Sequence, residues 1–429
     1  MTYDEAIAFW FSRINYEVRA AGPFDLKLER MRALLTLLGN PQKRLRIVHI
    51  AGTKGKGSTA AMLESVLRAA GYRTGLFTSP HLEHVEERIQ VNRASISHAE
   101  LARNMELIAN AAQELETGPW PPPTFFELST ALGLLHFVHR RVELAILEVG
   151  LGGRYDSTNV CEPLVSVVTS IGFDHMAQLG NTLEEIAFQK AGIIKRNVPS
   201  VSGVSVAGAR KVITDIAREL HSPLLQVERD FTVESARRYS LGLLGEHQIA
   251  NAATVLATIQ QLKKLGMVVP DSAIASGLRN VRWPARVEVV RERPTIVLDS
   301  AHNVPSTEAL VRTMRESLHI TGTKRLIFAV SSDKQYEAML QRLAPEFDEF
   351  YLTKYGINPR CVAPELLAEI LRKYKPNARW VLEATAQDAL RAAYDASHEN
   401  DFICITGSVF LAGELQSEAH RLAGTKTAE

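Results

Sequence analysis

Cysteine is scarce in this 429-residue chain. Cys161, Cys361 and Cys404 are far apart and form no Cys-x-x-Cys pair, which excludes a disulfide framework and a thiolate zinc site and fits a reducing compartment. Charge of one sign is lacking as well. The formal net charge is +1, so neither nucleic acid nor an anionic membrane is expected as a bulk partner, and an anionic ligand must be held by local geometry. No apolar stretch approaches the ~20 residues needed to span a bilayer. The start, Met1-Thr2-Tyr3-Asp4-Glu5, lacks the basic-then-apolar signature of a signal peptide. Internal repeats and low-complexity segments are absent too. The 46% hydrophobic and 23% charged residues that remain are those of an ordinary globular protein. The expectation is a cytoplasmic, monomeric protein acting on small molecules, long enough for two domains.

Short apolar runs rich in β-branched residues alternate with longer stretches of helical period. The runs cover 46–51, 142–149, 164–171, 295–298, 326–330 and 402–406; the amphipathic stretches include 58–70, 127–139, 183–194 and 247–265. Strands apolar on both faces and separated by helices predict an α/β fold with parallel sheets covered on both sides. The alternation breaks around Trp283-Pro284 and the charged run Arg291 to Arg293, then restarts at Thr295. The expected organisation is a phosphate-loop-containing N-terminal ATPase domain over 1–288 with a mostly parallel sheet. A smaller Rossmann-like α/β C-terminal domain is expected over 295–429.

The sharpest local signal is a strand, Arg46 to Ile50, running through Ala51 into Gly52-Thr53-Lys54-Gly55-Lys56-Gly57-Ser58-Thr59, where a helix opens. A glycine-rich turn at a helix N-terminus lets backbone N–H groups converge on an anion, backed by the positive end of the helix dipole. Lys56 would neutralise β/γ-phosphate charge and the Ser58 hydroxyl would reach a phosphate-bound Mg²⁺. The spacing departs from G-x-x-x-x-G-K-[ST], because Gly57 stands between Lys56 and Ser58. A plain strand–helix turn without a ligand is the bland alternative, but nucleotide phosphate is the better reading of two lysines and three glycines in this frame.

The G-T-x-G-K-G-[ST] pattern resembles the loop of the Mur-type amide ligases. Ser79-Pro80-His81-Leu82, Glu87-Arg88-Ile89, Thr124-Phe125-Phe126-Glu127, Glu148 to Arg154 with Asp156 and Asn159, Asp174-His175 and Gln189-Lys190-Ala191-Gly192 follow in order. His247 to Asn251, Trp283-Pro284-Ala285-Arg286 and Asp299-Ser300-Ala301-His302-Asn303 complete the set. Together they resemble the folylpolyglutamate synthase/dihydrofolate synthase family over nearly the whole chain. The resemblance implies an ATP-dependent ligase that phosphorylates a folate or dihydropteroate carboxylate and joins it to L-glutamate. Phosphoryl transfer of this kind rests on positioning and charge stabilisation, with Mg²⁺.

What the resemblance implies residue by residue is as follows. Gly52 to Ser58 hold the nucleotide phosphates, with Asn251, Arg286 and Asp299 on the base and ribose. Ser58, Ser79, Glu148 and His175 surround the metal. Lys56, Lys190, His175 and His302 serve catalysis, Lys190 as a carbamylated lysine. Thr124, Phe125, Phe126, Glu127, Tyr155, Asp156 and Ser157 line the pterin-bearing substrate. The residues themselves allow plainer readings. Glu148 ends an apolar strand, where a carboxylate is either a hard metal ligand or turned to water. A lone histidine or helical lysine is ordinarily solvated, though Phe188, Ala191, Ile193 and Ile194 suggest a partly buried face for Lys190. Paired aromatics entering a helix are usually core, and Ser-Pro or a loop Asp usually serves a turn. Four positions depart from the family pattern: Ala285 and Ser300 replace glycines, Val304 a proline, and Gln248 an asparagine of some members. A side chain at 285 or 300 fits readily if φ is negative and is strained if it is positive. The rivals are another Mur-type ligase and a nucleotide-binding regulator without catalysis. Only about fifty residues precede the loop, short for the extra domain of cell-wall ligases, and Lys56, Glu148, His175 and Lys190 together argue against a dead site.

Overall fold

The computed structural model describes residues 1–16, 27–356, 360–422 and 424. Two units divide the chain. The first comprises Met1–His81, Val85–Gly242 and Gln248–Val281, the second Leu82–His84, Leu243–His247 and Arg282–Glu429.

In the first unit, eight strands form one sheet: β1 (Ile47–Ala51), β2 (Thr74–Phe77), β3 (Ile89–Val91), β4 (Ala94–Ser95), β5 (Leu144–Glu148), β6 (Val165–Val168), β7 (Ser200–Ser202) and β8 (Leu224–Gln226). Their order is β4-β3-β2-β5-β1-β6-β7-β8. Every pairing from β2 to β8 is parallel, and β3 and β4 add an antiparallel edge. The helices are α1 (Tyr3–Phe11), α2 (Leu28–Leu37), α3 (Lys56–Ala69), α4 (His98–Glu116), α5 (Phe125–His139), α6 (Met176–Leu179), α7 (Leu183–Lys190), α8 (Ala207–Glu219), α9 (Glu234–Arg237), α10 (Glu246–Lys264) and α11 (Asp271–Asn280).

Strands β1 and β5 are buried at every position, which is why they read as unbroken apolar runs. The edge strands of two to four residues are too short to leave a periodic signal. β1 lies between β5 and β6. The chain leaves β1 toward β2 on one side and later crosses to β6 on the other, so the sheet reverses direction about β1, and such a crevice is where open α/β sheets take ligands. One face is covered by α1, α2, α4 and α5, whose core includes Trp10, Leu34, Met105 and Phe137. The other carries α7 and α8 through Ile186, Ala187, Ala209 and Ile213.

The second unit has strands β9 (Glu288–Glu292), β10 (Thr295–Leu298), β11 (Lys324–Phe328), β12 (Glu349–Leu352), β13 (Arg379–Leu382) and β14 (Phe402–Thr406), ordered β13-β12-β11-β14-β10-β9. All pair in parallel except β9 with β10. Helices α12 (Val304–Ser317), α13 (Tyr336–Leu343), α14 (Pro364–Tyr374), α15 (Ala386–Asp395) and α16 (Val409–Leu422) cover it. Two hydrophobic clusters flank the sheet, one around Leu326, Phe328 and Phe402 and the other around Ile327, Ile403 and Ile405. Neighbouring residues of one strand thus feed opposite faces.

Among the described residues, no helix is long and apolar enough to cross a membrane.

Candidate functional site

The phosphate loop is held open by its neighbours. Gly52 has φ 155°, and a Cβ there would lie 1.9 Å from Thr169 Oγ1. Gly55 has φ 82°, and its Cβ would lie 2.3 Å from Asn251 Oδ1. Only glycine tolerates such approaches in that region of φ. The end of β6 clamps the loop: Thr53 N–H donates to Ser170 O (2.8 Å), and Lys54 N–H to Ser170 Oγ (2.9 Å). The Lys54 carbonyl accepts from both Thr169 Oγ1 (2.7 Å) and Ser170 Oγ (2.9 Å). Gly55 is the N-cap of α3 and offers no side-chain cap. Lys56, Gly57 and Ser58 form the first helical turn, where N–H groups have no intrahelical acceptor. The helix therefore presents donors and its positive dipole end to an anion. Thr169 and Ser170 drew no attention in the sequence; two hydroxyls directly after an apolar parallel strand were the available signal.

The charged side chains gather around this loop. Lys56 Nζ lies 3.9 Å from Glu148 Oε1, and Glu148 Oε2 accepts the Ser79 N–H at 3.4 Å. Glu148, at the end of β5, thus links the Ser79 segment to the start of α3. Ser58 is buried, and its Oγ accepts from Gln248 Nε2 at 3.3 Å. Lys190, at the C-terminus of α7, is 4% exposed and donates from Nζ to Gly52 O at 2.9 Å. Burial, then the nearby ammonium of Lys56, brings its pKa down to about 7; Asp174 opposes the shift, and Lys54 adds to it. A lysine half neutral at pH 7 is a nucleophilic amine. Lys54 Nζ pairs with Asp174 Oδ2 at 3.2 Å. His175 follows in left-handed backbone (φ 49°), its ring half exposed and 3.8 Å from Asp174 Oδ1.

Lys190 is placed by an interlock of two loops. Arg154 N–H donates to Gln189 O (2.8 Å), and Asn159 Nδ2 donates to Arg154 O (3.0 Å) and Gly192 O (3.1 Å). The Arg154 guanidinium lies 3.9 Å from the centre of the Phe188 ring. Asp156 is buried, and its carboxylate accepts from Gly150 N (3.1 Å), Leu151 N (2.9 Å), Thr158 N (3.0 Å) and Thr158 Oγ1 (2.5 Å). A carboxylate has about four acceptor positions, so the loop's own donors fill Asp156. Burial raises its pKa, against those hydrogen bonds. Beneath it, buried His49 of β1 meets Thr158 Oγ1 at 2.8 Å.

The start of α5 divides its residues between core and surface. Thr124 and Glu127 form a reciprocal capping box, and Glu127 also takes Arg30 in a fork (2.9 and 2.8 Å). Phe125 is fully buried, stacked on Trp10 with ring centres 5.2 Å apart. Phe126 is half-buried, and its ring lies where a Cβ on Gly150 would stand, 2.5 Å from that position. Ser157 Oγ shares a hydrogen bond with Thr130 Oγ1 (2.6 Å), whereas Tyr155 is half exposed. Asn251 donates to Gln248 Oε1 at 3.0 Å.

Arg286, Asp299 and His302 belong to the second unit. Asp299, at the end of β10, is buried and accepts from Val287 N (3.0 Å) and Ala301 N (2.8 Å); burial raises its pKa, against the Arg286 charge. Arg286 stands between Ala285 (φ 52°) and Val287 (φ 48°). Left-handed backbone at a β-branched residue is an outlier, held here by the bond from Val287 N–H to Asp299. At Ala285 the positive-φ case applies. Ser300 is not among the positive-φ residues, and its N–H and Oγ both donate to Ala285 O at 3.0 Å. The two positions that depart from glycine are therefore bonded to each other. His302 Nδ1 donates to Ser300 O at 3.0 Å, and Asn303 caps α12.

No three His, Cys, Asp or Glu side chains cluster to hold a metal among the described residues. Glu148 with hydroxyls of the loop is a hard oxygen set that fits Mg²⁺, an ion that takes one or two carboxylates and fills its remaining positions from phosphates and water.

A glycine-bearing, uncapped helix N-terminus stands beside a lysine, a hydroxyl and a carboxylate at the C-terminal edge of a parallel sheet, an arrangement with the donors and charge that suit a nucleotide phosphate. Residues 50–227 match the Mur ligase middle domain and 285–409 the Mur ligase glutamate ligase domain. The dihydrofolate synthase/folylpolyglutamate synthase of Bacillus subtilis (strain 168) is 34% identical over 437 residues, covering 96% of this chain and 98% of the relative. E. coli FolC in complex with DHPP and ADP superposes with TM-score 0.84 at 28% identity, covering 98% of this chain and 99% of that one. The Yersinia pestis bifunctional folylpolyglutamate synthase/dihydrofolate synthase, complexed with AMPPNP and Mn ion, gives TM-score 0.82 at 28% identity, covering 98% of each chain. The chain belongs to the folylpolyglutamate synthase/dihydrofolate synthase family of the Mur ligase superfamily, whose members are ATP-dependent glutamate ligases.

Proposed function

We propose that this protein uses ATP to join L-glutamate to dihydropteroate, to reduced folates, or to both, through an acyl phosphate. The observation that carries the reading is the uncapped α3 N-terminus with Lys56 3.9 Å from Glu148, on a chain of this family. The loop from Gly52 to Ser58 takes the phosphates, with Lys56 spreading their charge. Ser58, Ser79, Glu148 and His175 stand on the metal side. These residues would hold a divalent ion, which would neutralise phosphate charge when bound.

Lys190, with its pKa near 7, is the amine suited to capture CO₂ as a carbamate, which would replace a cation by an anion beside the loop. His302 is assigned to the phosphate side, and Asn251, Arg286 and Asp299 to the base and ribose. For the acid substrate, the half-buried Phe126 and the half-exposed Tyr155 supply contact surface, with Thr124 and Ser157 beside them, their hydroxyls bonded to Glu127 and Thr130. Phe125, Glu127 and Asp156 act from beneath by holding α5 and the loop in place. The 1–288 segment carries the ATP and pterin roles and 295–429 the glutamate role. The protein is read as a cytoplasmic, monomeric enzyme of small molecules, with no nucleic-acid partner.

The test is ATP- and Mg²⁺-dependent glutamate incorporation, with dihydropteroate, tetrahydrofolate and its monoglutamylated form offered separately. Product with at least one acceptor, and ADP formed in step with it, is expected. No product with any pterin acceptor sinks the folate reading.

A further inference from the structure

Ser58 is the third residue of α3, and the carbonyl four residues back, Lys54 O, lies before the N-cap Gly55. Both lone pairs of that carbonyl are taken, by Thr169 Oγ1 (2.7 Å) and Ser170 Oγ (2.9 Å), so it offers the Ser58 hydroxyl no backbone acceptor.

On the other side, Gln248 Nε2 donates to Ser58 Oγ at 3.3 Å, and Gln248 is 1% exposed. Its amide cannot turn over without a loss, because its oxygen accepts from Asn251 Nδ2 at 3.0 Å. Asn251 Oδ1 lies beside Gly55, 2.3 Å from where a Cβ there would stand. The order of donation is thus Asn251 to Gln248 to Ser58. A hydroxyl that accepts one hydrogen bond and is denied its backbone acceptor keeps one lone pair and its own proton for a ligand.

We propose that Gln248 is a positioning residue for the metal. By occupying one lone pair of Ser58 Oγ it presents the other to a divalent cation, and through Asn251 it ties that orientation to the glycine turn. The inference rests on the reading of Ser58 as a metal-side hydroxyl. A second-sphere partner of this kind typically governs metal affinity by 10–100-fold, so its removal should cost more with the metal than without it.

The experiment measures ADP binding by titration calorimetry in EDTA, and Mn²⁺ binding to the ADP-loaded protein by electron paramagnetic resonance, without turnover. Gln248→Met keeps the volume and removes the amide. It is expected to weaken Mn²⁺ binding roughly 10-fold or more, and to lower ADP affinity in EDTA by clearly less than that, because Asn251 also loses its acceptor. Gln248→Asn keeps an amide in the buried position but falls short of Ser58; it should show the same loss, and it replaces Gln248→Met if that variant does not fold. Mn²⁺ affinity unchanged in a folded variant overturns the proposal, as does an equal loss with and without metal. A wild-type protein that binds ADP but shows no Mn²⁺ site removes the metal reading itself, and the inference with it.

Discussion

The N-termini of α3 and α12 follow the same strand–turn–helix frame, each at the C-terminal end of a parallel strand, yet they are finished in opposite ways. α12 closes itself: Asn303 Oδ1 accepts from Ser306 N (3.1 Å), Ser306 Oγ answers Asn303 N (3.3 Å), and Pro305 removes one donor altogether. α3 begins at Gly55 with no capping side chain, and its turn is braced instead from β6 and by Asn251. A helix dipole alone does not make an anion site. The donors must also be left unused by the chain, and bracing the turn from outside is how the fold keeps them so.

The comparison breaks most visibly at Gly55. Gly55→Ala forces a Cβ toward Asn251 Oδ1 in left-handed backbone, and nucleotide affinity measured by calorimetry should fall on the order of 100-fold, about 3 kcal/mol. Retained affinity would mean that the loop's geometry is not what binds phosphate.

Lys190 reports on the same loop through Gly52 O. Its pKa is about 7 in the folded protein against 10.5 as the ordinary value, so between these limits the unfolded chain binds more protons and stability rises with pH. Below pH 7 both states are protonated and the full cost of burying the charge remains. Relative to Lys190→Met, the wild type should gain roughly 2 kcal/mol between pH 7 and 9 in chemical denaturation. Parallel pH profiles would show that the lysine is not buried as described.

At α12, Asn303→Ala should cost about 1 kcal/mol of stability, read as a fall in denaturation midpoint, because that end relies on its own cap. The smallest effect is expected at Ala285→Gly. Relief of left-handed backbone, roughly 1 kcal/mol, is offset by loss of a fully buried methyl, about 0.8 kcal/mol. A midpoint shifted by more than the equivalent of about 1 kcal/mol would show that the two do not balance.

The runs at 46–51, 142–149 and 164–171 were legible because strands β1, β5 and β6 are buried on both faces and carry no polar alternation. β7 and β8, three residues each, were not, since pairing with neighbours rather than pattern makes them strands. The segments Leu82–His84 and Leu243–His247, which cluster with the second unit, had no compositional mark at all. In the site, Lys56, Ser58 and Glu148 stood out because glycine spacing and strand ends are local features. Thr169, Ser170 and Arg30 did not, because each acts on a partner about 100 residues or more away.

By itself, the sequence determined where the glycine-rich loop begins, which apolar runs are strands buried on both faces, and that Glu148 ends one of them, all consequences of burial and backbone freedom within a few residues. Only the tertiary structure decided which side chains are bonded or buried within the chain itself. Asp156 and Glu127 are saturated by donors of their own chain, Phe125 is stacked into the core, and Lys190 is brought to near-neutral pKa by burial beside two other ammonium groups. Hydrogen-bond capacity and desolvation depend on everything packed around a group, and that is settled only when the chain has folded.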